Sequence, residues 1–577
     1  MGSLASLPKL RRHGTPTVRR AALLLVLLCA ATGALAPPAN AARGSADLVR
    51  IPFSQDDGSL TPYSFELGYP FMTLIYDTLF WRDSRGVPKP WLARGLKRSP
   101  DGRQVTIRLR RGVRWHDGRA LTASDVAFTY QFMKRHLHLR FTPQLVEIEQ
   151  VRAVDPLTVV FDLRRPVLGF LDQPLSDVPV LPRHLWAGRS GAQLIPPGQP
   201  IGSGPYRLAG YDPRRGYVFA ANRSYFRGKP TVRRIDVPII RSAQRTFDAL
   251  KRGNVDMVPG GLPTAFRKDL GNPLGIDFRQ GVNYTGTALL LNLRRPPFDK
   301  PAARRAVARS LDLDRIAEGV GEVLPASTGY LHPDSPWAPN PDGLQRSDEA
   351  AARRELRRLG NPPIEILVPE NNPVRLDAGR RVVLALRRAG AEATLTEVPR
   401  ATFARALGGD GSSPRFQAAI TGIPPLISYD PDFLRVFFGA DARLNQTGYR
   451  SGAFDRVAAR VAGASDRNVR REAVAGEMRL LARDVPAIPL VFSRGAFAYR
   501  PPAYDGWIFV KGTGILDKRS FLGGRRGLAR SLPEVEPTDD GDGGLPISGF
   551  GLAAAALLFV AIALAASRLS GAAIRRR

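Results

Sequence analysis

Residue types that catalyse reactions or hold metal ions are scarce in this sequence. It contains one cysteine, Cys29, and six histidines among 577 residues, which excludes a disulfide framework and a multi-cysteine zinc site. His136 and His138 are two residues apart, and on a helix such side chains point about 200° apart, a poor arrangement for two metal ligands. No G-x-S-x-G, H-E-x-x-H or P-loop motif occurs in the sequence. The sequence therefore predicts a protein that is not an enzyme and needs no metal or other cofactor.

The elements that would position a binding site alternate between strands and helices. Val105, Ile107 and Leu109 alternate with polar residues, which predicts a strand with one buried face. Thr122 followed by Asp125 predicts a helix start, because each side chain can cap the other's backbone N–H group. Similar patterns continue along the chain, so we expect a mixed α/β protein. A chain of 577 residues is too long for one core, so at least two packed lobes are needed.

The amino-terminal segment has the order of a secretory signal peptide over residues 1–41. Basic residues are followed by the apolar run AALLLVLLCAATGALA and by small residues at Ala39 and Ala41. An uncleaved N-terminal anchor is the alternative. Cys29 follows a leucine rather than the small residue that a lipoprotein cleavage site needs, so we interpret it as part of the apolar run. The mature chain is then free of cysteine.

The carboxyl-terminal segment predicts a transmembrane helix over residues 547–567. Twenty consecutive residues, Ile547–Ala566, carry no charge, and such a helix spans roughly 30 Å, the thickness of the hydrocarbon core of a bilayer. A buried core helix is the alternative. Residues 531–546 are acidic and rich in Pro and Gly, as in a flexible linker. Residues 568–577 form a basic tail that favours the cytoplasmic side, so we expect a single-pass membrane protein with its large domain outside the cytoplasm.

The formal net charge of +32 suggests at first a nucleic-acid partner. In the exported domain the basic residues are mostly arginines spread singly or in pairs, and no block of five or more occurs. An exported protein rarely meets nucleic acid, so we expect no nucleic-acid partner. The charge would instead attract the protein to an anionic envelope surface or to acidic ligands.

Several motifs recur in an order that resembles one family. The sequence is similar to the family-5 solute-binding proteins of ABC importers, the oligopeptide-, dipeptide- and nickel-binding group, over roughly residues 46–530. The motifs that carry the resemblance are Val113–Phe132, Ile201–Tyr211, Ala221–Val237, Ala249–Val258, Leu289–Ile316 and Ala482–Ser493. Each motif alone is weak, but the ordered set is specific.

The resemblance implies a two-lobed periplasmic-binding-protein-like α/β fold of type II whose lobes close about a hinge. Lobe I would comprise residues 42–283, with an inserted subdomain at about 67–177, and would be completed by residues 491–530. Lobe II would comprise residues 284–490. The two crossings between the lobes, near Tyr284 and Phe492, would form the hinge.

The resemblance also implies a function and partners. The protein would be the extracytoplasmic substrate-binding component of an ABC importer, which captures a small solute such as an oligopeptide or peptide-like molecule. It would deliver that ligand to the permease and ATPase subunits of the importer. The alternative is a membrane-tethered receptor or sensor of the same fold that is not coupled to transport.

The expected ligand site lies in loops at strand ends, where α/β lobes present binding groups. The candidate ligand-binding residues are Gln55, Tyr63, Tyr284, Thr285, Tyr429 and Asp430. The tyrosines offer flat surface with a hydroxyl group, although each could instead be a core aromatic near the hinge. Peptide-binding relatives place an aspartate near the position of Ile427, where this chain has no carboxylate. Asp430 is the remaining candidate anchor for a ligand cation, unless it serves only as a turn residue before Pro431.

Overall fold

The computed structural model describes residues 46–65, 67–260, 275–340, 347–370, 372–408 and 412–523. The predicted signal peptide, acidic linker, transmembrane helix and basic tail lie outside these residues, and the membrane-helix prediction is therefore not examined by the structure. Within the described ranges, no helix combines the length and apolarity required to cross a bilayer.

The first part of the chain forms two four-stranded sheets with short helices. Strands and helices are numbered in chain order. The strands are β1 Ala46–Arg50, β2 Phe80–Arg82, β3 Pro88–Pro90, β4 Ala93–Arg98, β5 Gln104–Leu109, β6 Ile148–Asp155, β7 Thr158–Leu163, β8 Tyr206–Asp212, β9 Gly216–Ala221 and β10 Val232–Pro238. The helices are α1 Tyr69–Ile75, α2 Ala123–Arg135, α3 Arg183–Trp186 and α4 Ala243–Lys251. One sheet has the order β1-β10-β9-β8, the other β4-β5-β7-β6, and β2 pairs with β3.

A small sheet and a large sheet follow. The remaining strands are β11 Met257–Val258, β12 Asp277–Arg279, β13 Gly286–Leu291, β14 Val323–Pro325, β15 Ile364–Pro369, β16 Ala393–Val398, β17 Ala418–Ile423, β18 Ala487–Ser493 and β19 Phe497–Tyr499. The remaining helices are α5 Pro301–Ser310, α6 Leu313–Val320, α7 Glu349–Arg358, α8 Pro373–Arg388, α9 Arg400–Ala406, α10 Leu426–Tyr429, α11 Arg435–Phe438, α12 Gly452–Gly463 and α13 Arg467–Asp484. The small sheet has the order β11-β19-β12 and the large sheet β14-β18-β13-β17-β15-β16.

The hydrophobic cores show a two-lobed α/β architecture. One core joins residues between Val49 and Met257 with residues between Phe497 and Phe521. Two further clusters lie between Ala288 and Phe492, on the large sheet and its helices. We refer to the two parts as lobe I and lobe II. The exact residue limits of the lobes and of the inserted subdomain stay a prediction.

The two chain crossings between the lobes run side by side. Gly286 of β13 is paired with Phe492 of β18, and just beyond this pair the Ser493 N–H group donates to the Thr285 carbonyl oxygen at 2.9 Å. On the lobe I side, the Gly281 N–H group donates to the Arg494 carbonyl oxygen at 3.1 Å. Backbone hydrogen bonds therefore couple the two connecting segments.

Local sequence patterns explain several of these elements. Val105, Ile107 and Leu109 of β5 are all buried, so the predicted alternation is confirmed. The predicted start of helix α2 is also confirmed, because the Thr122 N–H group donates to the Asp125 carboxylate at 2.9 Å. All six residues of β13 are buried, as expected for a central strand covered on both faces.

Candidate functional site

A cleft between the lobes is the main cavity of the described structure. Its larger compartment has a volume of about 600 Å³ and is lined by Trp81 and Arg140 of lobe I and by Arg375 and Phe403 of lobe II. An adjoining compartment of about 390 Å³ shares Thr285 and Arg375 with the larger one. Volumes of this size are typical of small-molecule and cofactor sites.

Two of the predicted ligand residues lie on the cleft wall. Thr285 is exposed and lines both compartments, at the crossing from lobe I to lobe II. Tyr429 lines the larger compartment and follows the Pro424-Pro425 turn into helix α10. Tyr284 is buried beside Tyr429, with a ring-centroid distance of 5.1 Å, and its hydroxyl donates to the Asp334 carbonyl oxygen at 3.2 Å.

The structure does not bring Tyr63 to the cleft. Its ring packs against Phe132, His138 and Trp186, with centroid distances of 5.3–5.9 Å. Its hydroxyl donates to the His136 carbonyl oxygen at 2.8 Å. The prediction that Tyr63 contacts the ligand is therefore corrected. Its ring packs within lobe I, because the aromatic side chains of α2 and α3 enclose it.

Gln55 also serves the fold of its own loop. The side chain is buried, and its amide group donates to the Asp57 carboxylate. Asp57 in turn accepts from the Leu67 N–H group at 2.8 Å, which fixes the loop that leads into helix α1. Gln55 is absent from the lining of both compartments, although the neighbouring Ser54 contributes to the smaller one. The prediction that Gln55 contacts the ligand is therefore corrected, because its side chain instead stabilises this loop.

Asp430 does not offer its charge to a ligand in the cleft. The side chain is buried and forms an ion pair with Arg470 of helix α13, which is buried as well. It also accepts from the Asp432 N–H group at 3.2 Å, and it faces a separate cavity of only about 30 Å³. The expectation of a cation anchor is wrong because Arg470 already neutralises the carboxylate, and the alternative of a turn residue agrees with the structure.

Arg375 is a candidate binding residue that sequence reasoning missed. It lies in the first turn of helix α8, where its N–H group donates to the capping side chain of Asn372 at 3.0 Å. Arg375 lines both compartments of the cleft. Burial, together with the nearby charge of Arg400, lowers the pKa of Arg375 to about 10. No carboxylate of the described chain forms an ion pair with it, so this cation is available to an anionic ligand group.

Two further arginines of the larger compartment, Arg140 and Arg82, are held by partners in lobe I. Arg140 makes two parallel hydrogen bonds to Asp177, at 3.0 and 2.7 Å, and although burial opposes the effect, Arg140 holds the pKa of Asp177 below its usual value. Arg82 is paired with Asp172 at 2.9 Å. The Arg82 guanidinium also lies 3.8 Å from the ring centroid of Tyr429, a cation–π contact between the two lobes.

Asp517 of lobe I is the second acidic residue, after Asp177, that lines the larger compartment. The Trp81 indole donates to it at 3.0 Å, and the Arg519 N–H group donates at 2.8 Å. Burial raises the pKa of Asp517. The adjacent Lys518 pairs with Asp77 at 2.7 Å, both side chains being fully buried, and its charge also acts on Asp517.

The described residues contain no group of three His, Cys, Asp or Glu side chains placed to hold a metal ion. The cleft instead offers aromatic and apolar walls with a few charged groups. Such a surface can bind and orient an organic solute.

Comparison with known proteins identifies the family. The profile of "Bacterial extracellular solute-binding proteins, family 5 Middle" matches residues 87–445. The chain belongs to family 5 of the bacterial extracellular solute-binding proteins. The resemblance noted in the sequence is thereby confirmed.

Among curated family members, Protein XP55 of Streptomyces lividans is 30% identical over 368 residues, which cover 60% of this chain and 64% of that protein. This chain thus matches less than two thirds of that relative's length. The peptide transport periplasmic protein SapA of Salmonella typhimurium is 25% identical over 71% of this chain and 80% of its own length.

Solved structures of family 5 proteins share the fold. The oligopeptide-binding protein AppA from Bacillus subtilis, in complex with a nonapeptide, has a TM-score of 0.70 and 20% identity, over 80% of this chain and 97% of that one. DppA from Helicobacter pylori, in complex with the peptide STSA, has a TM-score of 0.72 and 19% identity, over 83% and 98%. At these identities the likeness shows the two-lobed fold, and the ligand of this family 5 protein has to be argued from its own cleft.

Proposed function

We propose that this protein is the extracytoplasmic substrate-binding component of an ABC importer. It captures a small solute, an oligopeptide or peptide-like molecule, between its two lobes and delivers it to the permease and ATPase subunits. The observation that carries the proposal is the compartment of about 600 Å³ whose wall is shared by lobe I and lobe II. A ligand that contacts both walls stabilises the closed arrangement, because it binds that arrangement better than the open one. Binding of this kind requires no catalytic group.

The proposed contacts follow from the cleft wall. Arg375 binds a carboxylate of the ligand, because its guanidinium can make two parallel hydrogen bonds to such a group. Thr285 offers a hydroxyl where the two compartments meet, and Tyr429 offers a flat surface. The ring of Tyr284 packs against the ring of Tyr429. The apolar walls accept side chains of different shape, which suits a peptide-like ligand.

Isothermal titration calorimetry on the full-length chain in detergent tests this proposal. The probe is a mixed tetrapeptide pool, measured against the same pool with amidated carboxyl termini. Arg375→Gln is expected to weaken binding of the free pool at least tenfold and to remove the preference for free over amidated peptides. The matched control is Arg380→Gln on the same helix, an exposed arginine paired with Asp377 at 3.2 Å, which should bind like the wild type.

Two outcomes would contradict the proposal. Wild-type protein that binds neither pool is not a peptide receptor. If the Arg375→Gln variant binds with unchanged affinity and preference, the carboxylate of the ligand binds at another residue. Peptide uptake by cells that carry or lack the gene then distinguishes an importer component from the alternative, a receptor that is not coupled to transport.

Anchoring by residues 547–567 completes the proposal and places the large domain on the extracytoplasmic side. Its support is the uncharged run Ile547–Ala566, followed by Arg568 and the terminal arginines. Full-length protein should remain in the membrane fraction after a high-salt or carbonate wash and be released by detergent. A chain that ends at residue 530 should be recovered without detergent. Recovery of the full-length chain in the aqueous fraction would contradict membrane anchoring.

A further inference from the structure

We propose that lobe I carries a phosphate-binding site outside the ligand cleft, formed by Arg110 and Arg227 beside Trp91. The site takes the phosphate group either of a free ion or of a phospholipid headgroup, and the test distinguishes these two sources. None of the three residues lines either compartment of the cleft. The proposal is therefore separate from the ligand that the cleft captures.

Trp91 holds the two arginines in fixed positions. It lies in the connection between β3 and β4 and is 5% exposed. The Arg110 Nε group donates to the Trp91 carbonyl oxygen at 2.7 Å, and the Arg227 guanidinium carbon lies 4.1 Å from the centroid of the indole ring. Arg110 follows strand β5, whereas Arg227 belongs to the turn between β9 and β10. Two segments distant in the sequence thus place guanidinium groups around one residue.

The charges of these two arginines lack a counter-ion. Among the described residues, no acidic side chain forms an ion pair with Arg110 or Arg227. The charge of Asp77 acts on Arg227, but Asp77 is fully buried and already pairs with Lys518 at 2.7 Å. Burial and the charge of Arg110 lower the pKa of Arg227, so the two like charges act on each other. A bound anion would relieve this repulsion.

Arg519 adds a third positive group near Arg227. Its guanidinium donates to a backbone carbonyl oxygen of β2 at 3.3 Å, and its charge also lowers the pKa of Arg227. Part of this charge is balanced by the buried Asp517, on which Arg519 acts as well. Arg110 and Arg227 are therefore the anchors of the proposed site, and Arg519 strengthens the positive potential around them.

The surroundings of the two anchors favour an anion. Arg227 is exposed and Arg110 is half-buried, so a solute can reach both. The segments that supply them, residues 102–116 and 213–235, contain no acidic residue. The local potential is therefore positive and attracts anions.

The arrangement suits a phosphate better than a carboxylate. A guanidinium group is a planar fork of donors that matches the oxygens of either anion. A phosphate group presents oxygens on several sides, so it can accept from two guanidinium groups that approach from different directions. A carboxylate presents two oxygens in one plane and is satisfied by a single arginine.

The first experiment is isothermal titration calorimetry of inorganic phosphate into the full-length chain in non-ionic detergent, with the ionic strength kept constant by sodium chloride. Arg110→Gln and Arg227→Gln should each weaken phosphate binding by about tenfold or more, because each removes charged hydrogen-bond donors. The matched control is Arg354→Gln, which removes an exposed arginine of helix α7 in lobe II and should bind phosphate like the wild type. Circular dichroism checks that each variant is folded.

The second experiment tests the lipid source. Hydrogen–deuterium exchange of the full-length chain is followed in vesicles of phosphatidylcholine, with and without phosphatidylglycerol, whose headgroup carries a net negative charge. A lipid headgroup in the site should slow exchange in residues 102–116 and 222–231 only when phosphatidylglycerol is present, and the Arg110→Gln, Arg227→Gln double variant should lose this protection. Phosphate binding in solution without this protection supports the site and identifies the free ion as its ligand.

Three results would overturn the proposal. One is wild-type protein that neither binds inorganic phosphate nor gains protection with phosphatidylglycerol, and this comparison needs no variant. Another is phosphate binding and lipid protection that both arginine substitutions leave unchanged. The third is an equal loss of phosphate affinity in Arg354→Gln and Arg227→Gln, which shows a general effect of net charge. None of these results bears on the capture of a ligand in the cleft.

Discussion

Replacing Asp430 by asparagine would remove one charge from a buried ion pair in lobe II. Asp430 is 6% exposed and its partner Arg470 is 2% exposed. Breaking a buried pair by removing one partner costs about 3–5 kcal/mol, because the other charge is left without compensation. Arg470 has a second acidic neighbour, however, since Glu477 lies on the same helix, is fully buried and has no hydrogen-bond partner among the described residues.

Glu477 should therefore reduce the effect of the single substitution. Burial raises the pKa of Glu477, and the charge of Arg470 acts against that rise, so loss of Asp430 allows Glu477 to ionise beside Arg470. We expect Asp430→Asn alone to cost less than 3 kcal/mol, and Asp430→Asn in the Glu477→Gln background to cost the full amount of about 3–5 kcal/mol. Asp432 is the other acidic group that faces this pair.

The assay is thermal unfolding followed by circular dichroism at pH 7. For a domain of about 150–250 residues, 1 kcal/mol shifts the Tm by about 2–4 °C, so the double variant should melt roughly 6–20 °C below Glu477→Gln. The control is Asp377→Asn, which removes an exposed helix-surface pair with Arg380 and should cost about 0.5 kcal/mol or less. Equal and small effects of Asp430→Asn in both backgrounds would refute the reasoning.

Three further predictions concern stability. Burial raises the pKa of Glu477, so this side chain contributes most to folding stability below the unfolded-state pKa of about 4.3, and the contribution is lost as the pH rises towards the folded-state pKa. Glu477→Gln should flatten this decline of Tm across a pH series. An unchanged dependence of Tm on pH would contradict the prediction. Lys518→Met leaves Asp77 fully buried without its counter-ion and should cost about 3–5 kcal/mol in urea unfolding; a loss below about 1 kcal/mol would disprove the pairing. Thr122→Ala removes a helix cap and should cost about 1 kcal/mol, with Ser at the same position as the restoring control.

Part of the candidate site could be predicted from the sequence. Thr285 and Tyr429 line the cleft, and their contact with a ligand stays a prediction. Their positions near the hinge and at a strand end follow the order of the family motifs. Tyr63 and Gln55 also lie in a loop, the one before helix α1, yet their side chains pack inside lobe I. Which way a loop side chain turns depends on the packing of α2 and α3, and no local pattern reveals that packing.

The sequence by itself determined the local elements and the family. The alternation in β5 and the cap of α2 depend on neighbours within a few residues, so the residue types alone identify them. Only the tertiary structure decided which charges are available to a ligand. Asp430 is neutralised by Arg470, forty residues further along the chain, while Arg375 remains without an ionised partner among the described residues. Ion pairs form between groups distant in sequence, so in a chain with 84 lysines and arginines the fold alone determines which of them faces the cleft unpaired.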